Sequence, residues 1–177
     1  MDIFQRLRRR KVQREFEKYV SPEMVAKAEA TIRGGTLRLG EGRQTHFQFI
    51  LVHVEETRLD EIPVLIKKVV DGFYRHGAIV TDISSSLIVG YFGLPNSKND
   101  SAESRLKLVS SLLAENDSAI RVAHGQCNGL AGSFGGEGRW KYGGIIPNFS
   151  EILTRLLESR FGTATETLNE AARTSLP

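Results

Sequence analysis

The residues best able to do chemistry are few and scattered along the chain. The stretch "FILVHVEE" carries His53, Glu55 and Glu56, with Asp60 close behind, a set that could ligate a metal ion. Alternate side chains of a strand point to opposite faces, so His53 and Glu55 would share a side while Glu56 points away. One histidine and one carboxylate make a thin ligand set, and a histidine of the core or of a strand edge is the simpler reading. "HGQC" puts His124 three residues before Cys127, without the second pair that a structural zinc site needs. No serine sits in a Gly-x-Ser-x-Gly turn, so a hydrolase triad has no support. "GLAGSFGGEGRW" is Gly-rich but lacks the Gly-Lys-Ser/Thr ending of a phosphate-binding loop, and a hairpin in which glycine supplies positive φ accounts for it. "DISSSLIVGYFGLP" poses a different question, because its three serines are either turn residues or stand where a charged residue could be.

The elements around these residues are legible from periodicity. "THFQFILVHVEE" is continuous and β-rich, as suits a central strand buried on both faces. "LDEIPVLIKKVVDGFYRHG" spaces Ile62, Leu65, Ile66, Val69, Val70 and Phe73 as a helix that ends at Gly77. "AIVTDI" and "SLIVGYFG" read as two strands about a serine turn, a hairpin whose register the sequence leaves open. A helix over "SAESRLKLVSSLLAEN", capped by Asp100 or Ser101, a strand over "SAIRVAHGQC" and a Gly-rich hairpin follow. "IPNFSEILTRLLESRFG" is a further amphipathic helix, with Ile152, Leu153, Leu156 and Leu157 on its apolar side, and "TATETLNEAAR" suggests a short terminal helix. Upstream, "SPEMVAKAEATIRGG" has Ser21 as N-cap and Pro22 at the first helical position. The order β-α-β-β-α-β is that of an α+β, ferredoxin-like core, an antiparallel sheet with helices on one face.

At 177 residues, the chain divides into an N-terminal helical extension over 1–40 and an α+β domain over 41–177. No apolar stretch approaches the roughly 18 residues of a membrane span, and one cysteine excludes an internal disulfide framework, so a reducing, cytoplasmic setting is expected. Residues 1–18 carry seven Lys/Arg against three Asp/Glu, whereas the remainder carries 17 against 18. The basic character therefore belongs to the N-terminus, where Arg6, Arg8, Arg9, Arg10 and Lys11 would line one side of an amphipathic helix. A solvated helix face, a helix that docks on a partner, and contact with nucleic acid or an acidic membrane all fit these residues. The last is not favoured, since helix-turn-helix, Cys/His-finger and aromatic RNA-binding signatures are absent.

Three pieces in order resemble the class III adenylate/guanylate cyclase catalytic domain. They are "FEKYVSPEMVAKA", "HGAIVTDISSSLIVGYFGLPNSKNDSAESRLKLVSSLL" and "AHGQC" with "GLAGSFGGEGRWKYGGIIPNFSEILTRLLE". The resemblance spans about residues 16–170 and implies a ferredoxin-like fold that dimerises head to tail. The family holds two metal ions with two aspartates on neighbouring strands, which activate a ribose hydroxyl and neutralise the triphosphate. Alignment on it puts His53 at the first of these positions and Ser86 at the second, with Ser85-Ser86 standing for Gly-Asp. It puts Pro147 at the position of a base-selecting Asp, Ser150 at that of the ribose-orienting Asn, Thr154 at that of the transition-state Arg, and Asp82 near that of a base-selecting Lys. Arg155 lies one residue from the Arg position, about 100° around the helix.

The expectation is thus a cyclase-like domain degenerate at its catalytic positions, with no catalytic residues, bound metal or cofactor, acting as a regulatory, dimerisation or scaffolding module in bacterial-type signalling. Its expected partner is a second copy or another cyclase-like domain, and the N-terminal helix offers a further protein contact. The alternatives are a divergent nucleotidyl cyclase that uses His53 with Glu55 or Glu56, and a sensor that keeps a nucleotide-sized cleft.

Overall fold

The computed structural model describes residues 42–56, 60–84, 86–94, 102–136 and 139–168. The basic N-terminal segment with Arg6, Arg8, Arg9, Arg10 and Lys11, the helix expected after Ser21, the Asp100/Ser101 cap and residue 85 lie outside them.

The element order is β1 (Gly42–Val54), α1 (Ile62–Arg75), β2 (Ile79–Ser84), β3 (Leu87–Phe92), α2 (Ala102–Asn116), a short 3₁₀ turn (Asp117–Ala119), β4 (Ile120–Gly136), β5 (Arg139–Ile145), α3 (Phe149–Glu158) and β6 (Ala164–Leu168). The β-α-β-β-α-β core is present, and its strands run in the spatial order β2-β3-β1-β4-β5. β1 is antiparallel to both β3 and β4, which makes it the central strand. Residues Phe47 to Val52 are all buried, Gln48 included, as the continuous β-rich run implies for a strand covered on both sides.

Alternation splits β1 between two cores. Ile50, Val52 and Val54 face α1 and α2, where they meet Val69, Phe73, Leu108 and Leu112. Phe47, Phe49, Leu51 and His53 face the other side, together with their partners on β4, which include Arg121 and Cys127. His124 and Cys127 therefore lie on opposite faces of the sheet. On the helix side a Cβ at Gly90 would stand 2.1 Å from the Phe73 ring, so only glycine lets α1 approach the sheet this closely.

The helix over residues 62–75 begins with Pro63 in its first turn and stops where Gly77 takes a φ of 73°. The expected strand and the first arm of the Gly-rich hairpin are one 17-residue strand, β4. Its far half carries β5 back over the second face, where Phe47 packs under Gly129 and Gly144 at distances that exclude a Cβ.

One expectation is corrected. In the segment "TATETLNEAAR", where a terminal helix is expected, Ala164–Leu168 form strand β6, paired in parallel with β4 from Val122 to Gln126, and the residues after 168 lie outside the described ones. The β-branched threonines Thr165 and Thr167 suit a strand, and β4 offers an open edge along this half of its length. Local helix propensity yields to that pairing. Among the described residues, no helix is long and apolar enough to cross a membrane.

Candidate functional site

The second face of the sheet carries His53 and Cys127, whereas His124 is on the helix side. Pairing His53 with Leu87 on β3 brings the preceding turn residue, Ser86, beside His53. The backbone N–H of Val54 donates to the Ser86 carbonyl at 2.8 Å, which pins the hairpin turn to the end of β1. Of the three serines, Ser84 closes β2 opposite Leu87 and Ser86 lies in the turn, while position 85 is outside the described residues.

Four side chains form a hydrogen-bonded series across this corner. Arg121 Nε donates to His53 Nδ1 at 3.3 Å, His53 Nε2 lies 3.2 Å from Ser86 Oγ, and Ser86 Oγ donates to Glu56 Oε1 at 2.6 Å. A guanidinium has only donors and a carboxylate only acceptors, so the protons between them are ordered. His53 Nδ1 must accept, which places the ring proton on Nε2. Ser86 gives its only proton to Glu56, so it must accept from that same Nε2–H. The two ends thus require the same tautomer independently.

Charge and burial agree with a neutral ring. Burial, and then the Arg121 guanidinium, hold His53 below the usual histidine range, while Glu56 pulls weakly the other way. Arg121 is fixed in turn. Its Nη1 donates to the carbonyls of Leu157 at 2.5 Å and Ser159 at 3.0 Å, and its guanidinium carbon sits 4.6 Å from the centre of the Phe161 ring. The corner is consequently tied to the chain that leaves α3.

One reading of the sequence is overturned here. Strand alternation pairs His53 with Glu55, but β1 ends at Val54 and the chain turns, which brings Glu56 to Ser86 instead. Arg121 was not legible as a site residue at all, because nothing near it in sequence marks it. Only its register opposite His53 does.

The remaining aligned positions lie on or before α3. Pro147 is half-buried in the turn ahead of the helix, and Ser150 and Thr154 are exposed. The Thr154 hydroxyl donates to the Ser150 carbonyl at 3.0 Å, and Arg155 pairs with Glu151 at 2.6 Å along the exposed helix surface.

A groove of about 420 Å³ opens on the same face, between β2 and β5. Val89 lines it, two residues along β3 from Leu87, so it adjoins the His53 corner at about 7 Å along the strand. Asp82 reaches it through a bulge between Val80 and Asp82 that shifts the β2 register by one residue, opposing Asp82 to Val89. Tyr91, buried in the groove wall, donates from its hydroxyl to the Gly144 carbonyl at 2.8 Å. Burial pushes its pKa up to about 12.

The donor set does not fit a pair of divalent cations. The residues that the family resemblance aligns with the metal positions are a neutral imidazole and a hydroxyl, and the one carboxylate beside them, Glu56, is bonded to Ser86. Ligation through His53 Nε2 would move the ring proton to Nδ1, against the Arg121 N–H. Among the described residues, no group of three or more His, Cys, Asp or Glu could hold a metal ion.

No family model and no curated protein matches the chain. Solved structures do. The guanylyl cyclase Cya2 superposes with a TM-score of 0.62 at 16% identity, covering 71% of this chain and 76% of that one. The adenylyl cyclase CyaB from P. aeruginosa gives 0.59 at 14%, covering 72% and 79%. The guanylate cyclase domain of RhGC from Catenaria anguillulae, in complex with GTP, gives 0.59 at 10%, covering 72% and 80%. The sheet order, the two helices on one face and these superpositions together give the chain the fold of the class III nucleotidyl cyclase domain.

Proposed function

We propose that this chain is a catalytically silent cyclase-homology domain that works by pairing, as a homodimer or with another cyclase-like domain, in cytoplasmic signalling. The observation that carries the reading is the series Arg121, His53, Ser86 and Glu56. Cyclisation needs cations held by anionic ligands against the triphosphate. In this corner a guanidinium and hydrogen bonds between the side chains themselves occupy the place such ligands would take. The lack of a positioned Arg at Thr154 adds to this, since one lost transition-state donor costs about 10²- to 10³-fold in rate.

Incubating the chain with each of the four nucleoside triphosphates and Mg²⁺ or Mn²⁺, with mass spectrometry of the products, tests the reading. No cyclic nucleotide is expected, and turnover abolished by His53→Ala would overturn it. Sedimentation at tens of micromolar tests the pairing. A dimer is expected, and a monomer throughout would refute homodimerisation.

A second reading rests on the groove. Its volume lies in the range of small-molecule sites, so the domain also serves as a ligand sensor that retains a cleft without turnover.

A further inference from the structure

The groove differs in charge from what a phosphorylated ligand requires. Asp82 lines it, and no Lys, Arg or His is among its described lining residues. The guanidinium of Arg121 at the adjoining corner has its Nε and Nη1 committed to His53 and to the carbonyls of Leu157 and Ser159. The carboxylate at that corner, Glu56, would repel an anion further. A triphosphate laid in the groove would meet the Asp82 carboxylate and no cation among its described lining residues.

The other lining residues suit a different ligand. Tyr91, Tyr142 and Phe149 give the walls an aromatic character, and Val89 and Ile146 are apolar. Aromatic faces beside a carboxylate attract organic cations through the ring quadrupole and the opposite charge together. The phenols do not compete as anions, since burial raises the pKa of both Tyr91 and Tyr142. The Asp82 carboxylate lies close enough to Tyr91 to act on its ionisation, which places the charge at the aromatic wall. Asp82 also takes part in interactions within the chain, so an ammonium ligand joins or exchanges with those.

We propose that the groove between β2 and β5 binds a small organic cation carried on an apolar or aromatic body, an aromatic amine being the simplest form. This rests on the reading of the cleft as a ligand site and names its ligand class.

The test is a titration of the full chain by two-dimensional NMR, with phenethylamine, its uncharged analogue phenethyl alcohol, ATP and GTP as probes. Phenethylamine is expected to give saturable shifts at groove residues, and the alcohol none. Asp82→Asn is nearly isosteric and exposed, and should weaken amine binding about ten-fold or more with an otherwise unchanged spectrum. Tyr142→Leu should weaken it as well, which keeps the test independent of one variant's folding. Equal binding of the alcohol, or an amine affinity within about two-fold in Asp82→Asn, would overturn the proposal. Saturable nucleotide binding without amine binding would overturn it and leave the ligand-sensor reading standing. No saturable binding of any probe would overturn both.

Discussion

The hydrogen-bonded corner makes its sharpest prediction at Ser86. Ser86→Ala keeps the turn backbone and removes one hydroxyl from a residue that is 5% exposed. Two interactions are lost, one accepting from His53 Nε2–H and one donating to the Glu56 carboxylate. A hydrogen bond to a charged partner contributes about 1.5–3 kcal/mol and a neutral one about 0.5–1.5 kcal/mol. Glu56 is exposed, so water restores most of what the carboxylate loses, whereas the half-buried His53 N–H is served less well. The net loss is about 1–2 kcal/mol, and the midpoint of thermal unfolding should fall by roughly 2–8 °C for a chain of this size. Urea unfolding at neutral pH measures the free energy. Long-range ¹H–¹⁵N correlation at the His53 ring, which should carry its proton on Nε2 in the unaltered chain, measures the geometry. A Ser86→Ala variant within about 0.3 kcal/mol of the parent would refute the coupling. So would a wild-type ring protonated on Nδ1, because Arg121 could not then donate to it.

Other expectations follow from the same geometry. Burial and a neighbouring guanidinium hold both His53 and His124 below the ordinary histidine pKa, Arg121 being that neighbour for the first and Arg105 for the second. The unfolded chain therefore takes up these protons first. Their contribution to stability is complete above about pH 6.5 and is lost as the pH falls from there through the lower folded values, which urea titrations between pH 7 and 5 will register. Arg121→Gln should move the His53 titration, followed by NMR, back toward the ordinary value. Arg105 is buried, pairs with the half-exposed Glu166 at 2.8 Å and has Nε and Nη1 without partners. Arg105→Met should accordingly leave stability unchanged or raise it by about 1 kcal/mol, whereas Glu166→Gln should lower it, as denaturant midpoints will show. A Cβ at Gly125 would lie 2.3 Å from the Thr167 carbonyl oxygen, so Gly125→Ala should destabilise by about 1–3 kcal/mol and raise hydrogen exchange across β6.

The amino-acid order determined those parts of the molecule that depend on periodicity and on chain punctuation. The β-rich run from Phe47 to Val54 suited a central strand, since apolar residues on both of its faces needed covering. The spacing from Ile62 to Phe73 and the glycine at 77 set the first helix and its end. Three serines between β-rich runs set a turn. His53 and Ser86 could be placed together only through a family alignment, and β-sheet register then put them 3.2 Å apart.

What tertiary structure decided is everything that hangs on register and on chain reversal. Arg121 became part of the corner because thirteen residues of β1 pair with β4, a relation across 68 positions of sequence that no local pattern encodes. Glu56 replaced Glu55 because the strand stops at Val54, and alternation has no authority beyond the last paired residue. The bulge between Val80 and Asp82 sends a carboxylate into the groove, whereas unbroken pairing would have turned it toward the helices. The last strand carries the same lesson. A segment with helix-like composition became β6 because β4 presented an unpaired edge, and the hydrogen bonds of that edge outweighed local preference.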